Sequence, residues 1–240
     1  MNKNVLITGG SKGIGFHTAK IFIEHGYNAI ITGRNKNRLQ AAVDTLGDKA
    51  SFIEWDIGDI KSGYDKIIEA RNFFGDITVF INNAGIVTDD DMNGVKFPYI
   101  TEENWGETMN INLKGTFFAC QSEVKYMLEN NICGHIVNVC SEMGCRPAYD
   151  PYSISKWGVH GFTKGIAKRL APLGIIMNGI APGETATEIL RQKEGEEKII
   201  DSPRGKRAMP KEIAEEIYFL ATRENIIGSV LLSDGGRSLF

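Results

Sequence analysis

Short apolar runs alternate with longer amphipathic segments along the whole chain. The apolar runs have the length of strands and cover residues 5–8, 28–32, 50–55, 78–81, 135–140, 175–178 and 230–233. The segments between them have helical spacing and cover residues 15–25, 37–46, 64–73, 103–129, 152–171 and 211–222. Continuous apolar strands separated by helices are typical of a parallel sheet that is covered on both faces. The pattern predicts an α/β fold with a doubly wound, seven-stranded parallel sheet and helices on both faces.

The alternation continues without a proline-, glycine- or serine-rich linker, an internal repeat or a low-complexity block. A chain of 240 residues that is 42% hydrophobic is long enough for one substantial core. We therefore expect residues 1–240 to form a single domain.

Composition and charge narrow the class of function. A net charge of −3 argues against a general nucleic-acid binder, because phosphate affinity needs a basic surface. We expect no signal peptide, because the first residues run directly into an apolar strand, and no stretch approaches the ~18 apolar residues of a membrane span. The cysteines at positions 120, 133, 140 and 145 form no C-x-x-C pair and show no metal-ligand spacing. These features predict a cytoplasmic protein with reduced thiols, no metal site and no membrane partner.

A glycine-rich loop, residues 8–15, follows the first predicted strand and opens the first predicted helix. Its sequence is Thr-Gly-Gly-Ser-Lys-Gly-Ile-Gly, with glycines 9, 13 and 15. Glycines at such a strand-to-helix junction allow a tight turn and a close approach of the backbone to a pyrophosphate at the helix N-terminus. The alternative is a sharp turn without a ligand, but the order of strand, loop and helix favours a dinucleotide site.

The end of the second predicted strand indicates which dinucleotide is bound. NAD sites usually carry an acidic residue there, whereas an arginine can accommodate a 2′-phosphate. This chain has Arg34 and no acid at that position, and Lys12 lies in the glycine loop. The two cations favour NADP(H) over NAD(H), with a pair of solvated surface cations as the alternative.

Tyr152 and Lys156 form a candidate catalytic pair. A spacing of four places both side chains on one face of a helix. A phenol has an ordinary pKa of about 10, and we expect the nearby ammonium group to lower that pKa towards the working range. Ser141 follows the apolar run 136–140 and can bond the same substrate oxygen. An exposed Tyr–Lys pair on a solvated helix is the alternative.

Taken in order, these motifs resemble the short-chain dehydrogenase/reductase family over nearly the whole chain. The matching segments are the glycine loop, Asp56, Asn82-Asn-Ala-Gly85, Asn112 in Asn-Ile-Asn-Leu, Ser141, Tyr152-x-x-x-Lys156, Pro182-Gly183 and Ser233-Asp-Gly-Gly236. The resemblance implies a Rossmann-type domain and an enzyme that acts on CH–OH groups with a nicotinamide cofactor.

The resemblance also implies a role for individual residues. Tyr152 would be the acid/base and Ser141 would orient the substrate oxygen. Lys156 would lower the tyrosine pKa and hold the nicotinamide ribose, and Asn112 would tie a water molecule to Lys156. The implied cofactor-binding residues are Gly9, Ser11, Lys12, Gly13, Ile14, Gly15, Arg34, Asp56, Ile57, Asn83, Ala84, Gly85, Tyr152, Lys156, Pro182, Gly183, Thr185 and Thr187.

The sequence thus predicts an NADP(H)-dependent oxidoreductase acting on a small, polar carbonyl or secondary-alcohol substrate. One alternative is a 3-oxoacyl-[acyl-carrier-protein] reductase; Ile132 and Leu173 disfavour it, because they occupy positions where such enzymes carry basic residues. A non-catalytic dinucleotide sensor is disfavoured because the implied catalytic residues are all present. The resemblance further implies a homodimer or homotetramer.

The substrate end is expected to lie around the loop after Ser141 and the charged segment 186–209, which usually forms a lid in this family. Candidate lining residues are Glu142, Met143, Arg146, Tyr149, Glu184 and Arg191.

Overall fold

A computed structural model describes residues 3–94, 97–190 and 202–239 of the chain. Its strands are β1 (Asn4–Thr8), β2 (Asn28–Gly33), β3 (Ala50–Glu54), β4 (Val79–Asn82), β5 (Gly134–Val139), β6 (Ile175–Pro182) and β7 (Val230–Ser233). They form one seven-stranded sheet in the order β3-β2-β1-β4-β5-β6-β7, and every neighbouring pair is parallel. The predicted doubly wound sheet is confirmed.

Helices connect the strands across both faces of the sheet. They are α1 (Gly13–Glu24), α2 (Lys36–Leu46), α3 (Gly63–Phe74), α4 (Asp89–Met92), α5 (Glu102–Thr108), α6 (Thr116–Glu129), α7 (Pro151–Leu170) and α8 (Pro210–Leu220). A π-helical segment, Met109–Gly115, joins α5 to α6, and short 3₁₀ turns cover Glu142–Gly144, Ala171–Leu173 and Glu188–Leu190. Within the described ranges, no helix is both long and apolar enough to cross a membrane.

Two apolar clusters cover the two faces of the sheet. Alternate residues of a strand point to opposite faces, so Leu6 joins the cluster beneath α3, α6 and α7, whereas Ile7 joins the one beneath α1, α2 and α8. Both side chains have no exposed surface. Complete burial of one such side chain stabilises the fold by about 1.5–3 kcal/mol, which explains why the strands read as continuous apolar runs.

Two predicted elements differ from the structure by more than two residues. Strand β6 runs on to Pro182 rather than ending at residue 178, because it pairs with β5 on one side and with β7 on the other. The single helix predicted over residues 103–129 is wrong, because the π-helical segment divides it. Helix α4 was not predicted at all.

Candidate active site

A cavity of about 780 Å³ lies at the carboxyl ends of the central strands. Strand β1 lies between β2 and β4, so the direction of winding reverses there. Such a reversal opens a crevice in which sheets of this kind bind ligands. Every predicted site residue lines the cavity except Gly15 and Asn112.

The glycine loop is joined to the end of β4 through side chains. The Thr8 hydroxyl oxygen accepts hydrogen bonds from the backbone N–H groups of Asn83 (3.1 Å) and Ala84 (3.0 Å). In return, the Asn83 side-chain amide donates to the backbone oxygens of Thr8 and Gly9, both at 2.9 Å. Asn83 therefore fixes the position of the loop, a role beyond the cofactor contact that the sequence implied. Thr8 was missed as a site residue.

Two glycines are required by close packing inside this junction. A Cβ atom on Gly9 would lie 2.9 Å from Ala84 Cα, and Gly9 has a φ of +66°, which favours glycine. A Cβ atom on Gly15 would lie 2.4 Å from the Gly9 carbonyl oxygen. Gly15 consequently sits beneath the loop, which explains why it shapes the cavity without lining it.

Helix α1 begins at Gly13, and Lys12 at its N-cap makes no capping hydrogen bond with its side chain. A helix N-terminus carries a partial positive charge and attracts phosphate groups. The glycine backbone lining the cavity at this point can hold a pyrophosphate.

Cationic side chains line one end of the cavity. Arg34 follows the end of β2, as predicted, and its side chain is exposed. Lys12 also lines this end, but its ammonium group forms an ion pair of 2.9 Å with Glu188. The sequence predicts that Lys12 and Arg34 bind one ligand together. In the structure the Glu188 carboxylate competes with that ligand for Lys12. Arg38, in the first turn of α2, lines the same end and was missed by sequence reasoning.

Asp56 and Ile57 line the cavity beyond the end of β3. The Asp56 carboxylate accepts a hydrogen bond of 2.9 Å from the Gly58 backbone N–H, which is the turn geometry expected of a short acidic side chain. Ile57 is buried. These two residues can border an adenine ring with one polar and one apolar group.

The N-terminus of α7 presents Tyr152 and Lys156 to the cavity. Asp150 caps the helix by accepting a 2.7 Å hydrogen bond from the Ser153 N–H, and Pro151 occupies the first turn. The capping signal fixes where the helix starts and so places Tyr152 in its first turn. Lys156 follows one turn later on the same face, as the spacing predicted.

The pKa of Tyr152 departs from the expected direction. Burial raises it above its ordinary value, a hydrogen bond with Ser141 lowers it, and Asp91, Asp150 and Glu142 raise it further. The expectation that the ammonium group lowers this pKa is wrong for the chain alone. The Lys156 nitrogen lies 5.9 Å from the centre of the phenol ring and donates to the Val139 carbonyl oxygen at 3.0 Å.

Lys156 is itself nearly inaccessible. Its side chain lies in the protein interior, and burial lowers its pKa. A Cβ atom on Gly85 would lie 3.6 Å from the Lys156 nitrogen and 3.3 Å from the Asn112 side-chain oxygen. The absence of a side chain at Gly85 thus leaves space beside both polar groups, which a ligand can enter.

Asn112 lies in the π-helical segment and is completely buried. Its side chain accepts from the Ile86 N–H at 2.8 Å and donates to the Ile86 carbonyl oxygen at 2.9 Å. Both hydrogen-bonding groups of the amide are therefore used to hold the segment that follows β4. π-Helical turns occur frequently at functional sites. Asn112 supports the cavity floor from behind, which explains its absence from the lining.

The opposite end of the cavity contains the serine and several acidic residues. The Ser141 hydroxyl oxygen accepts a 3.2 Å hydrogen bond from the Met143 N–H. Of the candidate substrate residues, Glu142, Met143, Tyr149 and Glu184 line the cavity, Arg146 does not, and Arg191 lies outside the described residues. The lining also includes Asp89, Asp91 and Asp150, which sequence reasoning missed. Pro182, Gly183, Thr185 and Thr187 border the cavity between its two ends.

The sheet, the glycine junction and the Ser–Tyr–Lys constellation are the features of a dinucleotide-binding class of protein, with a serine, a tyrosine and a lysine in the same cavity as the glycine loop. Comparison with known proteins agrees: the family model for short chain dehydrogenase matches residues 3–198. The chain belongs to the short-chain dehydrogenase/reductase family.

Individual relatives cover nearly the whole chain. The 3-oxoacyl-[acyl-carrier-protein] reductase FabG of Chlamydia trachomatis serovar D is 34% identical, over 98% of this chain and 97% of that protein. The gluconate 5-dehydrogenase of Gluconobacter oxydans is 31% identical, over 96% of this chain and 93% of that protein. The solved structure of ElxO with NADP bound has a TM-score of 0.87 and 33% identity and covers 100% of both chains.

Proposed function

We propose that this protein is an NADP(H)-dependent oxidoreductase that transfers hydride between the nicotinamide and a small, polar carbonyl or secondary alcohol. One observation carries the proposal: a single cavity joins the glycine loop and Arg34 at one end to Ser141, Tyr152 and Lys156 at the other. This arrangement suits a long ligand whose phosphates and whose reactive ring lie at opposite ends.

The cavity fits a dinucleotide in three respects. Gly85 has no side chain, which leaves space beside the Lys156 nitrogen and the Asn112 side-chain oxygen. The N-terminus of α1 provides a positive dipole for a pyrophosphate. Arg34 and Arg38 provide cations for a 2′-phosphate, and no acidic residue follows β2 to bond the ribose hydroxyls of NAD. When bound, the dinucleotide supplies or accepts the hydride.

The protein's own groups would supply the proton and the geometry. We assign Tyr152 as the general acid for carbonyl reduction, and Ser141 as the group that orients the carbonyl oxygen beside the phenol. Lys156, held by the Val139 carbonyl, would donate to the cofactor ribose in the space beside Gly85. Asn112 would hold the cavity floor through Ile86, and its link to a water molecule beside Lys156 stays a prediction.

The protonated state of Tyr152 suits carbonyl reduction at neutral pH. Its pKa is raised by burial and by neighbouring carboxylates, so the phenol keeps its proton at neutral pH. A protonated phenol can donate to the oxygen of a carbonyl as hydride arrives at carbon. Alcohol oxidation would need the phenolate, which this environment disfavours.

A panel of carbonyl and alcohol substrates tests the proposal. We expect NADPH-dependent reduction of small polar ketones or aldehydes at neutral pH, measured as the loss of NADPH absorbance. Alcohol oxidation with NADP⁺ should be slower. NADH should support lower kcat/KM values. Tight binding of NADPH with no turnover across the panel would contradict the proposal and favour a dinucleotide sensor.

Replacing Arg34 tests the coenzyme assignment. Arg34→Ala should raise KM for NADPH by roughly 10-fold or more and leave KM for NADH nearly unchanged, because the lost contact is a charge-assisted bond to the 2′-phosphate. Lys36→Ala is the control, since Lys36 is also exposed but lies outside the cavity lining and faces Glu54 at 4.0 Å. An unchanged preference for NADPH in Arg34→Ala would remove the basis of the assignment.

A 3-oxoacyl-thioester reductase is the second candidate, because a relative of that function covers 98% of this chain. The residues at the expected carrier-docking positions are not basic: Leu173 is exposed, Ile132 packs against the core, and Glu129 nearby bonds Tyr64. We therefore expect acetoacetyl-CoA and acetoacetyl-carrier protein to react with similar kcat/KM if either is used. A strong preference for the carrier-linked thioester would favour this second function.

We also propose that residues 1–240 act as one domain within a homodimer or homotetramer in the cytoplasm. The family's usual assembly and the expectation of reduced cysteines support these statements.

A further inference from the structure

An ion-pair network lies behind the substrate end of the cavity and includes Arg237, from the turn that follows β7. One nitrogen of its guanidinium, Nη1, donates to Glu142 Oε1 and to Glu184 Oε1, both at 3.0 Å. Both glutamates line the cavity. One cation therefore joins two carboxylates that belong to distant parts of the chain.

Glu142 connects the network to the substrate side. It directly follows Ser141 in the chain and its side chain is only 5% exposed. Its second oxygen accepts a 3.0 Å hydrogen bond from Arg146 Nη2. Burial raises the pKa of Glu142, and the two guanidinium groups lower it. Without these cations, the interior would disfavour the carboxylate beside Ser141.

Glu184 connects the network to the cofactor side. It directly follows Gly183 and precedes Thr185, both of which border the cavity. Its second oxygen accepts hydrogen bonds from Arg207 at 3.0 Å (Nε) and 2.9 Å (Nη2). Glu184 is thus held by one arginine on each oxygen, as Glu142 is.

From this arrangement we infer that Arg237 is a positioning residue for hydride transfer. It joins the residue after Ser141 to the residue after Gly183, and so fixes the substrate-orienting wall of the cavity relative to the cofactor-holding wall. The inference rests on the proposed function and adds to it a residue outside the family motifs. A small error in the relative placement of these two walls is enough to slow transfer about 100-fold.

The chemistry of the shared nitrogen gives a specific expectation for substitutions. Because Nη1 alone makes both contacts, a lysine ammonium can replace it, although the side chain lacks the planar fork of arginine. A glutamine can keep a hydrogen bond but not the charge, and it leaves two carboxylates facing each other across a neutral group.

The test compares Arg237→Gln and Arg237→Lys in the full-length protein, using the best ketone of the panel with NADPH. We expect kcat/KM to fall about 100-fold in Arg237→Gln, with kcat carrying most of the loss, and NADPH Kd to rise about 3- to 10-fold. Arg237→Lys should stay within about tenfold of the parent. Arg223→Gln removes the same charge from an exposed position after α8 and should match the parent.

Two further measurements separate positioning from a loss of general stability. The double variant Glu142→Gln/Arg237→Gln should recover activity relative to Arg237→Gln, because it removes the repulsion between carboxylates. The ratio of kcat/KM for Arg237→Gln to that of the parent should fall as pH rises through the pKa of Glu142. In the part of the chain that the structure describes, the charged groups that face Glu142 are Arg237, Arg146, Asp234 and Glu184.

Equal losses in Arg237→Gln and Arg237→Lys, without recovery in the double variant, would overturn the inference. So would unchanged kinetics in Arg237→Gln. If the parent itself transfers no hydride, the proposed function is wrong, and the inference is then judged by NADPH fluorescence titration. In that case, an NADPH Kd for Arg237→Gln equal to the Kd for Arg223→Gln would overturn the inference about Arg237.

Discussion

Tyr152→Phe is expected to lower kcat by about 10²–10⁴-fold while NADPH binding stays within a few-fold of the parent. The phenol hydroxyl is the group that we assign as proton donor, and phenylalanine removes it while keeping the ring in its place on α7. The hydroxyl shares a hydrogen bond with Ser141, whose oxygen also accepts from the Met143 N–H, so the serine keeps one of its bonds in the variant. The loss should therefore fall on the chemical step rather than on the fold. Stopped-flow measurement of NADPH oxidation reports the rate of the chemical step, and a fluorescence titration reports NADPH binding.

A matched control is available for the tyrosine. Tyr149→Phe removes a hydroxyl from a cavity-lining tyrosine three residues earlier, outside the helix, and should change kcat by less than about tenfold. A Tyr152→Phe variant that retained the parent's rate would show that another group supplies the proton. The pH profile gives a second check: because the Tyr152 pKa is raised in the protein, reduction should stay active up to pH values at which a phenol of ordinary pKa begins to ionise.

Much of the fold could be predicted because the apolar runs record burial on both faces of the sheet. Strand β6 shows where that signal ends. Gly179 and Pro182 usually interrupt strands, yet Ile180 and Ala181 are fully buried and the strand is paired on both sides. Residue preferences predict that β6 ends at residue 178. Its actual end is set by pairing with β7, which lies more than fifty positions later in the chain.

The division of the helix predicted over 103–129 also depends on tertiary contacts. Periodicity alone does not separate an α-helix from one with a single wider turn, because the apolar spacing changes by only one position. At the end of that turn, a Cβ atom on Gly115 would lie 2.8 Å from the Ile57 carbonyl oxygen. The packing of this segment against the end of β3 is invisible to a local pattern.

The candidate site likewise contains residues that local sequence patterns predict and residues that only the fold brings together. Motifs with local spacing, such as the glycine loop and the Tyr152–Lys156 pair, could be predicted to lie together. Arg237 and its two glutamates could not, because positions 142 and 184 are 95 and 53 residues away from it. The pKa of Tyr152 could not be predicted either, since its burial and its acidic neighbours come from several elements.

Glu123 is expected to make the stability of the protein fall as pH rises. This glutamate has no exposed surface, and burial raises its pKa from 4.5 to about 8, against weaker lowering by hydrogen bonds from Asn82 and Cys120. The Asn82 side-chain amide donates to Glu123 Oε2 at 2.9 Å and to Asn138 at 3.0 Å, so the carboxyl group belongs to a buried polar network behind β4 and β5. At neutral pH the folded protein therefore holds a proton that the unfolded chain has released.

The sign and size of the effect follow from that difference in bound protons. Below pH 4.5 both states are protonated and the group has no effect on the free energy of unfolding; between about 4.5 and 8, stability is lost as pH rises; above the folded pKa the loss is complete. The total is on the order of 3–5 kcal/mol. Glu123→Gln mimics the protonated side chain, so it should remove this pH dependence and be more stable than the parent at pH 8.

Urea unfolding of the two proteins between pH 5 and pH 9 measures the difference directly, and Glu107→Gln removes an exposed glutamate as the control. If Glu123→Gln and the parent show parallel stability curves over this range, the carboxyl group is not protonated in the folded state. The buried network would then have to accommodate a carboxylate, and Asn82 and Cys120 would stabilise a charge rather than a neutral acid. Because Asn82 immediately precedes the Asn83–Gly85 segment, that charge would lie behind the proposed cofactor site at every pH from 5 to 9. The ratio of NADPH Kd between the parent and Glu123→Gln should then stay constant over this range.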